Sequence, residues 1–205
     1  EAIDQSLLIA LGDVVRDATA AFENYDHTKA LELAEHFFWN FTDNYLELVK
    51  ERAYNANGDY SPAQQASAAI ALRRALHVML RLFAPFLPYA TDEVWSWWQS
   101  AEGSIHRAAW PTVAETIEGV DAANTGLVAV ATTALFHLRK AKSDAKVSMR
   151  AEVATATLCG PTEALDKIRL FEADFKSVGR IAQLDWADAA EVSMTDVVLV
   201  EQAAD

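Results

Sequence analysis

The sequence predicts a mainly α-helical fold, a bundle of about four helices followed by a small appendage of helices and strands. Composition is the first reason, because 52% of the 205 residues are hydrophobic whereas the chain has only 7 Gly and 5 Pro. So few turn residues favour long helices. Periodicity is the second reason: apolar residues recur at three- and four-residue steps early in the chain, whereas short segments near its end alternate at period two.

Two amphipathic helices open the predicted bundle. Apolar residues line one face of residues 3–22, and the segment "NYDHT" then interrupts the pattern. Either Asp26 or Thr28 can cap the second helix, because both side chains accept a hydrogen bond from a free backbone amide at a helix start. The second helix is expected to run without a break through "FFWNFTDNYLELVKERAY", residues 37–54.

A restart signal and a pair of prolines define the third and fourth helices. Ser61, Pro62 and Gln64 fit a capping box with proline at the first helical position. Pro85 lacks the amide that a continuing helix needs, so the third helix must end there. Pro88 is tolerated in the first turn of the fourth helix.

The corner between these helices, "APFLPYATDEVW" at residues 84–95, is interpreted as structural and not as an active site. Phe86 and Leu87 are expected to point inward. Trp95 and Trp98 are expected to cover the end of the bundle, because both recur at helical spacing on the fourth helix.

The pattern divides the chain into three segments. Residues 1–111 are expected to form the helical bundle, residues 112–124 a linker, and residues 125–205 a small α+β subdomain. Within the subdomain, residues 125–145 predict a fifth helix. Three strands are predicted in "EVATATLC", "RIAQLDW" and "VVLV", with a helical segment between the first two.

The charge distribution keeps a nucleic-acid partner possible although the net charge is −13. Basic residues concentrate in one stretch that contains a single acid. They are Arg139, Lys140, Lys142, Lys146 and Arg150, and the acid is Asp144. A local basic surface on an acidic protein can contact phosphates, because charges act over about 8–10 Å at physiological ionic strength.

Several classes of protein are disfavoured. No apolar run approaches the ~18 residues that span a bilayer, and the acidic start lacks the pattern of an export signal. The single cysteine, Cys159, excludes an internal disulfide and is consistent with a reducing compartment. Glycine-rich phosphate loops and metal-ligand spacings of histidine are absent, which argues against a free-standing enzyme. The chain starts without Met inside a helical pattern, so we expect a piece of a longer protein.

An aromatic and basic helix end is the first candidate site. The segment "KERAY" places Lys50, Arg52 and Tyr54 beside the loop "NANGDY". Basic side chains hold phosphates while rings stack on nucleobases, so this helix end predicts an RNA contact. The alternative, a purely structural role for this segment, stays open because the aromatic residues before it are spaced as core residues.

Three segments in this order resemble the anticodon-binding domain of class I valyl-tRNA synthetases: "FFWNFTDNYLELVKERAY", "LRLFAPFLPYATDEVW" and "SIHRAAWP". A further segment, "LFHLRKAKSDAKVSMRAEV", is similar to the region after the bundle in valyl enzymes that lack a C-terminal coiled-coil arm. The acidic ending "VEQAAD" is then expected to be the C-terminus of the parent protein. The corresponding domain of isoleucyl enzymes is the nearest alternative.

The resemblance implies that the chain is the C-terminal part of a cytoplasmic ligase that joins valine to its tRNA with ATP. It implies two partners, the anticodon stem-loop of valine-specific tRNA and the catalytic domain of the same parent chain, and no membrane. The family's two catalytic motifs and its editing domain do not occur in the sequence. No catalytic residue, cofactor site or metal site is therefore expected here, and ATP and Mg²⁺ are expected in the catalytic domain.

Six residues are expected to contact tRNA. Lys50, Arg52 and Tyr54 are expected near the anticodon loop, and Arg139, Lys140 and Lys142 on the RNA backbone. A solvated helix face is the alternative for the second group. For the whole chain, the alternative is a helical protein–protein interaction module without RNA binding, which the net acidity favours. Part of the family's RNA surface, an Asn- and Arg-bearing stretch before "EAIDQSLL", is expected to be missing.

Overall fold

The computed structural model describes residues 1–200, and their structure is mainly helical with one small sheet, which confirms the predicted fold class. The acidic ending from residue 201, predicted as the C-terminus of the parent protein, lies outside the described residues. The chain forms two compact units. The first contains Ile3–Thr42 and Ala66–Thr125, and the second contains Asp43–Gln65 and, within the described residues, 126–200.

These units differ from the predicted segments in two places. The segment Asp43–Gln65 belongs to the second unit, although it was expected in the bundle. Residues 112–124, expected to be a linker, lie in the first unit and include a short helix, α6 (Val113–Ile117). The division of the chain into a domain at 1–111 and another at 125–205 stays a prediction.

The helices of the first half begin and end close to the predicted signals. They are α1 (Ala2–Glu23), α2 (His27–Asn40), α3 (Glu47–Tyr54), α4 (Pro62–Phe83) and α5 (Pro88–Gln99). Asp26 caps α2 by accepting a hydrogen bond from the Lys29 amide at 2.9 Å, which decides between the two predicted caps. Ser61 and Gln64 form the predicted capping box at the start of α4.

The long second helix is present, but it is not α-helical throughout. A π-helical segment, Phe41–Leu46, separates α2 from α3. A π-helical turn carries one more residue than an α-helical turn and changes which backbone carbonyls are available to other groups. The segment contains Asp43 and Asn44, whose oxygen atoms accept hydrogen bonds from Arg139.

The corner between α4 and α5 packs inside the first unit, and the predicted inward positions hold for Phe86 and Trp95. Phe86 stacks against Phe22 with ring centroids 5.8 Å apart, and Trp95 is buried and donates to the Gly103 carbonyl at 3.1 Å. The prediction is wrong for Leu87, which is 52% exposed, because it lies at the N-cap of α5.

A glycine fixes the approach of α6 to α1 in the first unit. A β-carbon on Gly12 would lie 2.8 Å from Thr116 Oγ1. That separation is too short for a non-bonded contact, so only glycine lets α6 pack at this position. Trp110 Nε1 also donates to Thr19 Oγ1 on α1, at 2.9 Å.

The second unit combines α3 with α7 (Leu127–Asp144) and a three-stranded sheet. The strands are β1 (Val153–Gly160), β2 (Ile181–Asp188) and β3 (Ser193–Leu199), in the order β2-β1-β3. β1 pairs with β2 in parallel and with β3 antiparallel. The parallel pair requires a crossover, which α8 (Thr162–Arg169) and α9 (Glu172–Gly179) provide. All three predicted strands are present, although the third begins at Ser193, four residues before the predicted "VVLV".

A half-buried histidine in the first unit is held neutral. The His77 ring stacks on Trp95 with centroids 5.0 Å apart, and Arg81 Nη2 lies 3.1 Å from His77 Nδ1. Arg81 also forms an ion pair of 2.8 Å with Glu115. Burial, followed by the nearby Arg81 charge, lowers the pKa of His77. Protonation would remove the acceptor that faces the guanidinium, so the fold favours the neutral ring.

Acidification is therefore expected to destabilise the protein through His77. Its contribution to stability is complete above the unfolded pKa of about 6.5 and is lost as the pH falls towards the lower folded pKa, because the unfolded chain binds the proton first. His77→Gln should remove this part of the pH dependence, measured by thermal unfolding between about pH 7.5 and pH 5.5. The control His36→Gln replaces an exposed histidine on α2 and should retain it. Equal pH dependence in both variants would contradict this assignment.

Candidate nucleic-acid interface

The end of α3 is a well-defined corner that presents two of the predicted residues. Asn55 follows the helix in the left-handed conformation, with φ 48°. Its side-chain amide donates to the Tyr60 carbonyl at 2.8 Å and its oxygen accepts from the Tyr60 amide at 3.0 Å. These two bonds close the loop after α3, so the position of Tyr54 at the helix end is fixed by local structure.

Tyr54 and Lys50 are accessible. Tyr54 is 72% exposed, and Lys50, four residues earlier, lies on the same side of the helix. Lys50 Nζ is 3.4 Å from Glu47 Oε1, a solvent-exposed pair that costs little to separate. The predicted combination of a basic group beside an aromatic ring is therefore available on the surface for Lys50 and Tyr54.

Arg52 is buried, whereas the sequence predicted an RNA contact for this residue of α3. The residue is only 1% exposed, because it lies between α3 and α9 and not on the helix surface. Its Nε donates to both carboxylate oxygens of Asp174, at 2.9 and 3.0 Å, and its Nη1 donates to the Gln64 carbonyl at 3.0 Å. The guanidinium is thus committed to the protein interior and is not accessible to a phosphate.

Arg139 and Lys140 occupy different surroundings on α7. Arg139 is half-buried, and its guanidinium donates to Asn44 Oδ1 at 2.7 Å and to the Asp43 carbonyl. It therefore connects α7 to the π-helical segment and keeps only part of its surface for a ligand. Lys140 is exposed, and its side chain has no hydrogen bond or ion pair with any of the residues at 1–200.

Lys142 is buried, whereas the sequence predicted an RNA contact for this residue of α7. The residue is 2% exposed, and its Nζ donates to three backbone carbonyls: Met149 at 3.0 Å, Ala151 at 2.9 Å and Gly179 at 2.8 Å. An ammonium group has three protons, so every donor is used inside the protein. Burial, followed by the charge of Arg180, lowers the pKa of Lys142.

The structure brings part of the predicted set together in one groove of the second unit, with a volume of about 520 Å³. Lys50, Arg139 and Lys142 line it, whereas Tyr54 and Lys140 do not. Two further basic residues, Arg150 and Arg180, also line this groove. Sequence reasoning did not select them. Arg150 belongs to the basic stretch that was noticed, but Arg180 stands alone in "VGRIA" and gives no local signal.

This arrangement is suited to binding an anion. Among residues 1–200, no group of three or more histidine, cysteine or acidic side chains is placed to hold a metal ion. None of the helices in that range is long and apolar enough to cross a membrane. Cationic side chains at the rim of an open groove attract phosphate oxygens, mainly by charge.

Comparison with known proteins agrees with these features. Residues 4–157 match the model of a family described as the anticodon-binding domain of tRNA ligase. The valine–tRNA ligase of Thermobifida fusca is 49% identical over 194 residues, which is 94% of this chain. Those of Leifsonia xyli and Salinispora arenicola are 48% and 47% identical over 97% and 92% of the chain. The matched regions are 21%, 22% and 23% of these relatives, so the chain spans about a fifth of their length.

The buried position of Lys142 predicts a large effect on stability. Lys142→Met keeps the apolar stem but leaves three backbone carbonyls without their donor, so the free energy of unfolding should fall by about 3 kcal/mol. The matched control is Lys140→Met, the same substitution at an exposed position of the same helix, with an expected effect within about 0.5 kcal/mol. Urea unfolding followed by circular dichroism measures both. Equal stability of the two variants would contradict the internal role of Lys142.

Proposed function

Since the chain belongs to the family of anticodon-binding domains of tRNA ligases, we propose that it is the C-terminal region of a valine–tRNA ligase. In this proposal it holds the anticodon stem-loop of valine-specific tRNA while a catalytic domain elsewhere in the parent protein attaches valine. The observation that carries the proposal is the 49% identity over 94% of the chain to a protein named valine–tRNA ligase. Relatives at 41–48% identity carry the same name, which favours the valyl over the isoleucyl alternative.

The geometry of the α3 end supports a contact with unpaired bases. Proteins that read RNA sequence bind splayed loop bases by stacking and by hydrogen bonds to their edges. Tyr54 offers an exposed ring at a fixed helix end, and Lys50 offers a charge on the same side of the helix. In the proposed complex, Tyr54 stacks on a loop base and Lys50 contacts an adjacent phosphate.

Arg139 and Lys140 supply backbone contacts in the same proposal. Phosphate contacts position an RNA without reading its sequence, and much of the affinity comes from the counterions they release. Lys140 has an accessible charge on α7, and Arg139 lies with Lys50 in the groove of the second unit. Lys50, Tyr54, Arg139 and Lys140 therefore remain the proposed tRNA contacts, without Arg52 and Lys142.

The rest of the reaction belongs to other parts of the parent protein. Aminoacylation requires ATP and Mg²⁺, which the catalytic domain would bind. We place the parent protein in the cytoplasm, where charged tRNA is used. In the proposed complex this region fixes one end of the tRNA, so that the acceptor end reaches the catalytic site. Such positioning lowers the entropy cost of the reaction.

Replacing the exposed ring should weaken anticodon discrimination. Tyr54→Ala is expected to lower affinity for valine tRNA by about 5- to 150-fold, the range for loss of one base stack, and to reduce the preference over a transcript with a changed anticodon. The matched control is Tyr25→Ala, because Tyr25 is 92% exposed and lies in the first unit. Fluorescence anisotropy with both transcripts measures the ratio. Binding of Tyr54→Ala at wild-type affinity would contradict the stacking role.

Replacing Lys50 should have a different signature. Lys50→Gln is expected to weaken binding to both transcripts equally and to reduce the slope of log Kd against log salt by about 0.7, as for one lost phosphate contact. Lys29→Gln is the control, because Lys29 forms a similar pair, 3.2 Å from Glu32 on α2. If wild-type protein binds the two transcripts equally, the chain does not read the anticodon and the proposed function fails in that respect.

A further inference from the structure

Two exposed arginines of the second unit have no ion pair or side-chain hydrogen bond within residues 1–200. On α8, Lys167 pairs with Glu163 at 2.8 Å and Arg169 pairs with Asp166 at 2.6 Å. By contrast, the side chains of Arg150 and Arg180 are exposed and form no hydrogen bond or ion pair within residues 1–200. Their charges are therefore available to a ligand, without the cost of breaking a pair.

Their backbones are nevertheless held firmly. Lys142 Nζ binds the carbonyls of Met149 and Ala151, which flank Arg150, and the carbonyl of Gly179, which precedes Arg180. The Arg180 carbonyl also accepts from the Val153 amide at 2.9 Å. One buried ammonium group thus joins the two segments that carry the arginines, so that both side chains start from fixed points at one groove.

The backbone conformation of Arg180 is also defined. Arg180 follows α9 in the left-handed region, with φ 50°, where a residue with a β-carbon is disfavoured and glycine is usual. The glycine is one residue earlier: a β-carbon on Gly179 would lie 2.8 Å from Ile181 Cδ1, so glycine is required there. The left-handed turn at Arg180 therefore fixes the point at which this exposed side chain leaves the backbone beside the groove.

The groove that these residues line is predominantly basic, whereas the adjoining cavity of about 720 Å³ has three acids, Glu51, Asp59 and Glu152, against two bases, Lys176 and Arg180. Arg180 lines the 520 Å³ groove and two adjoining cavities of about 720 and 730 Å³, and Arg150 lines the groove and the last of these. The acids in the groove are Glu47 and Glu51, and Lys50 offsets Glu47. An open groove with several cationic side chains fits a polymer with repeated phosphates better than a small enclosed anion.

We propose that Arg150 and Arg180, positioned by Lys142, form a phosphate-binding site for the RNA backbone in the groove of the second unit. The inference rests on the proposed function for the identity of the RNA, and it extends RNA contact to the segment after residue 124. The site is independent of sequence, since guanidinium groups bind phosphate oxygens and not base edges here. It would add to the contacts at α3 and α7 without changing which anticodon is preferred.

The test compares a double variant with a control of equal charge. Arg150→Gln/Arg180→Asn removes both charges, and asparagine suits the left-handed position of Arg180. Lys167→Gln/Arg169→Gln removes two paired charges from α8 in the same unit. Binding to valine tRNA and to a transcript with a changed anticodon is measured at about 50 to 200 mM salt, where the slope of log Kd reports phosphate contacts.

The first variant should bind both transcripts about tenfold or more weakly at low salt, with the slope reduced by about 1.4–1.8 and the ratio between transcripts unchanged. The control should bind as the wild type does. Arg150→Lys/Arg180→Lys retains the charges and should keep most of the affinity, which separates loss of charge from damage to the fold. The melting temperature of each variant is measured alongside.

Other results overturn the proposal. Wild-type affinity and slope in the glutamine–asparagine variant would show that the groove does not bind RNA, and a loss confined to the native anticodon would show base reading instead. Saturable binding of inorganic phosphate with no effect on RNA would indicate a small-anion site. The proposed function is tested separately, by whether the wild-type protein prefers the native transcript. If the wild type binds both transcripts equally, anticodon reading is excluded but phosphate binding in the groove is not. If neither RNA binds, both fail.

Discussion

The buried ion pair between Arg52 and Asp174 is the constraint on which the second unit depends. It joins α3 to α9 through two residues that are 122 positions apart in the sequence. Arg52 Nε donates to the Asp174 carboxylate oxygens at 2.9 and 3.0 Å. A buried pair gains little over apolar packing, but removal of one partner leaves an uncompensated charge and is strongly destabilising. The pair therefore fixes which surface of α3 points outward, and with it the positions of Lys50 and Tyr54.

The second unit uses its basic residues in two ways. Arg52 and Lys142 are buried and spend their donors on backbone and carboxylate oxygens, so they hold elements together. Lys50, Arg150 and Arg180 are exposed and have charges available for a ligand. The two roles are linked, because the buried groups hold the segments that carry the exposed ones. A protein with a net charge of −13 can thus concentrate accessible positive charge in one groove.

Much of the fold could be predicted from the sequence because its signals are local. The capping residues Asp26, Ser61 and Gln64 act within three positions of themselves, and Pro85 and Pro88 act through their own backbone. Strands with strict alternation were recognised for the same reason. The π-helical segment was not predicted, since its side-chain pattern is compatible with a continuous α-helix.

The candidate site was only partly predictable. A basic residue in a basic stretch gives no sign of its burial, so Arg52 and Lys142 were grouped with Lys50 and Lys140 although their partners lie far along the chain, at Asp174 and at Gly179. Arg180 lies outside the basic stretch, with Lys176 as the nearest base in the sequence, and joins the groove only through folding. Charge runs in the sequence indicate where basic side chains concentrate, whereas the tertiary structure decides which of them are accessible.

The most direct measurement of this division between buried and accessible cations is a titration of the protein with the anticodon stem-loop RNA, followed by NMR of the arginine side-chain Nε–Hε resonances. The account predicts that the resonances of Arg150 and Arg180 shift as RNA is added, whereas that of Arg52, whose Nε–H is bound to Asp174, stays in place. A shifted Arg52 resonance together with unchanged Arg150 and Arg180 resonances would contradict it.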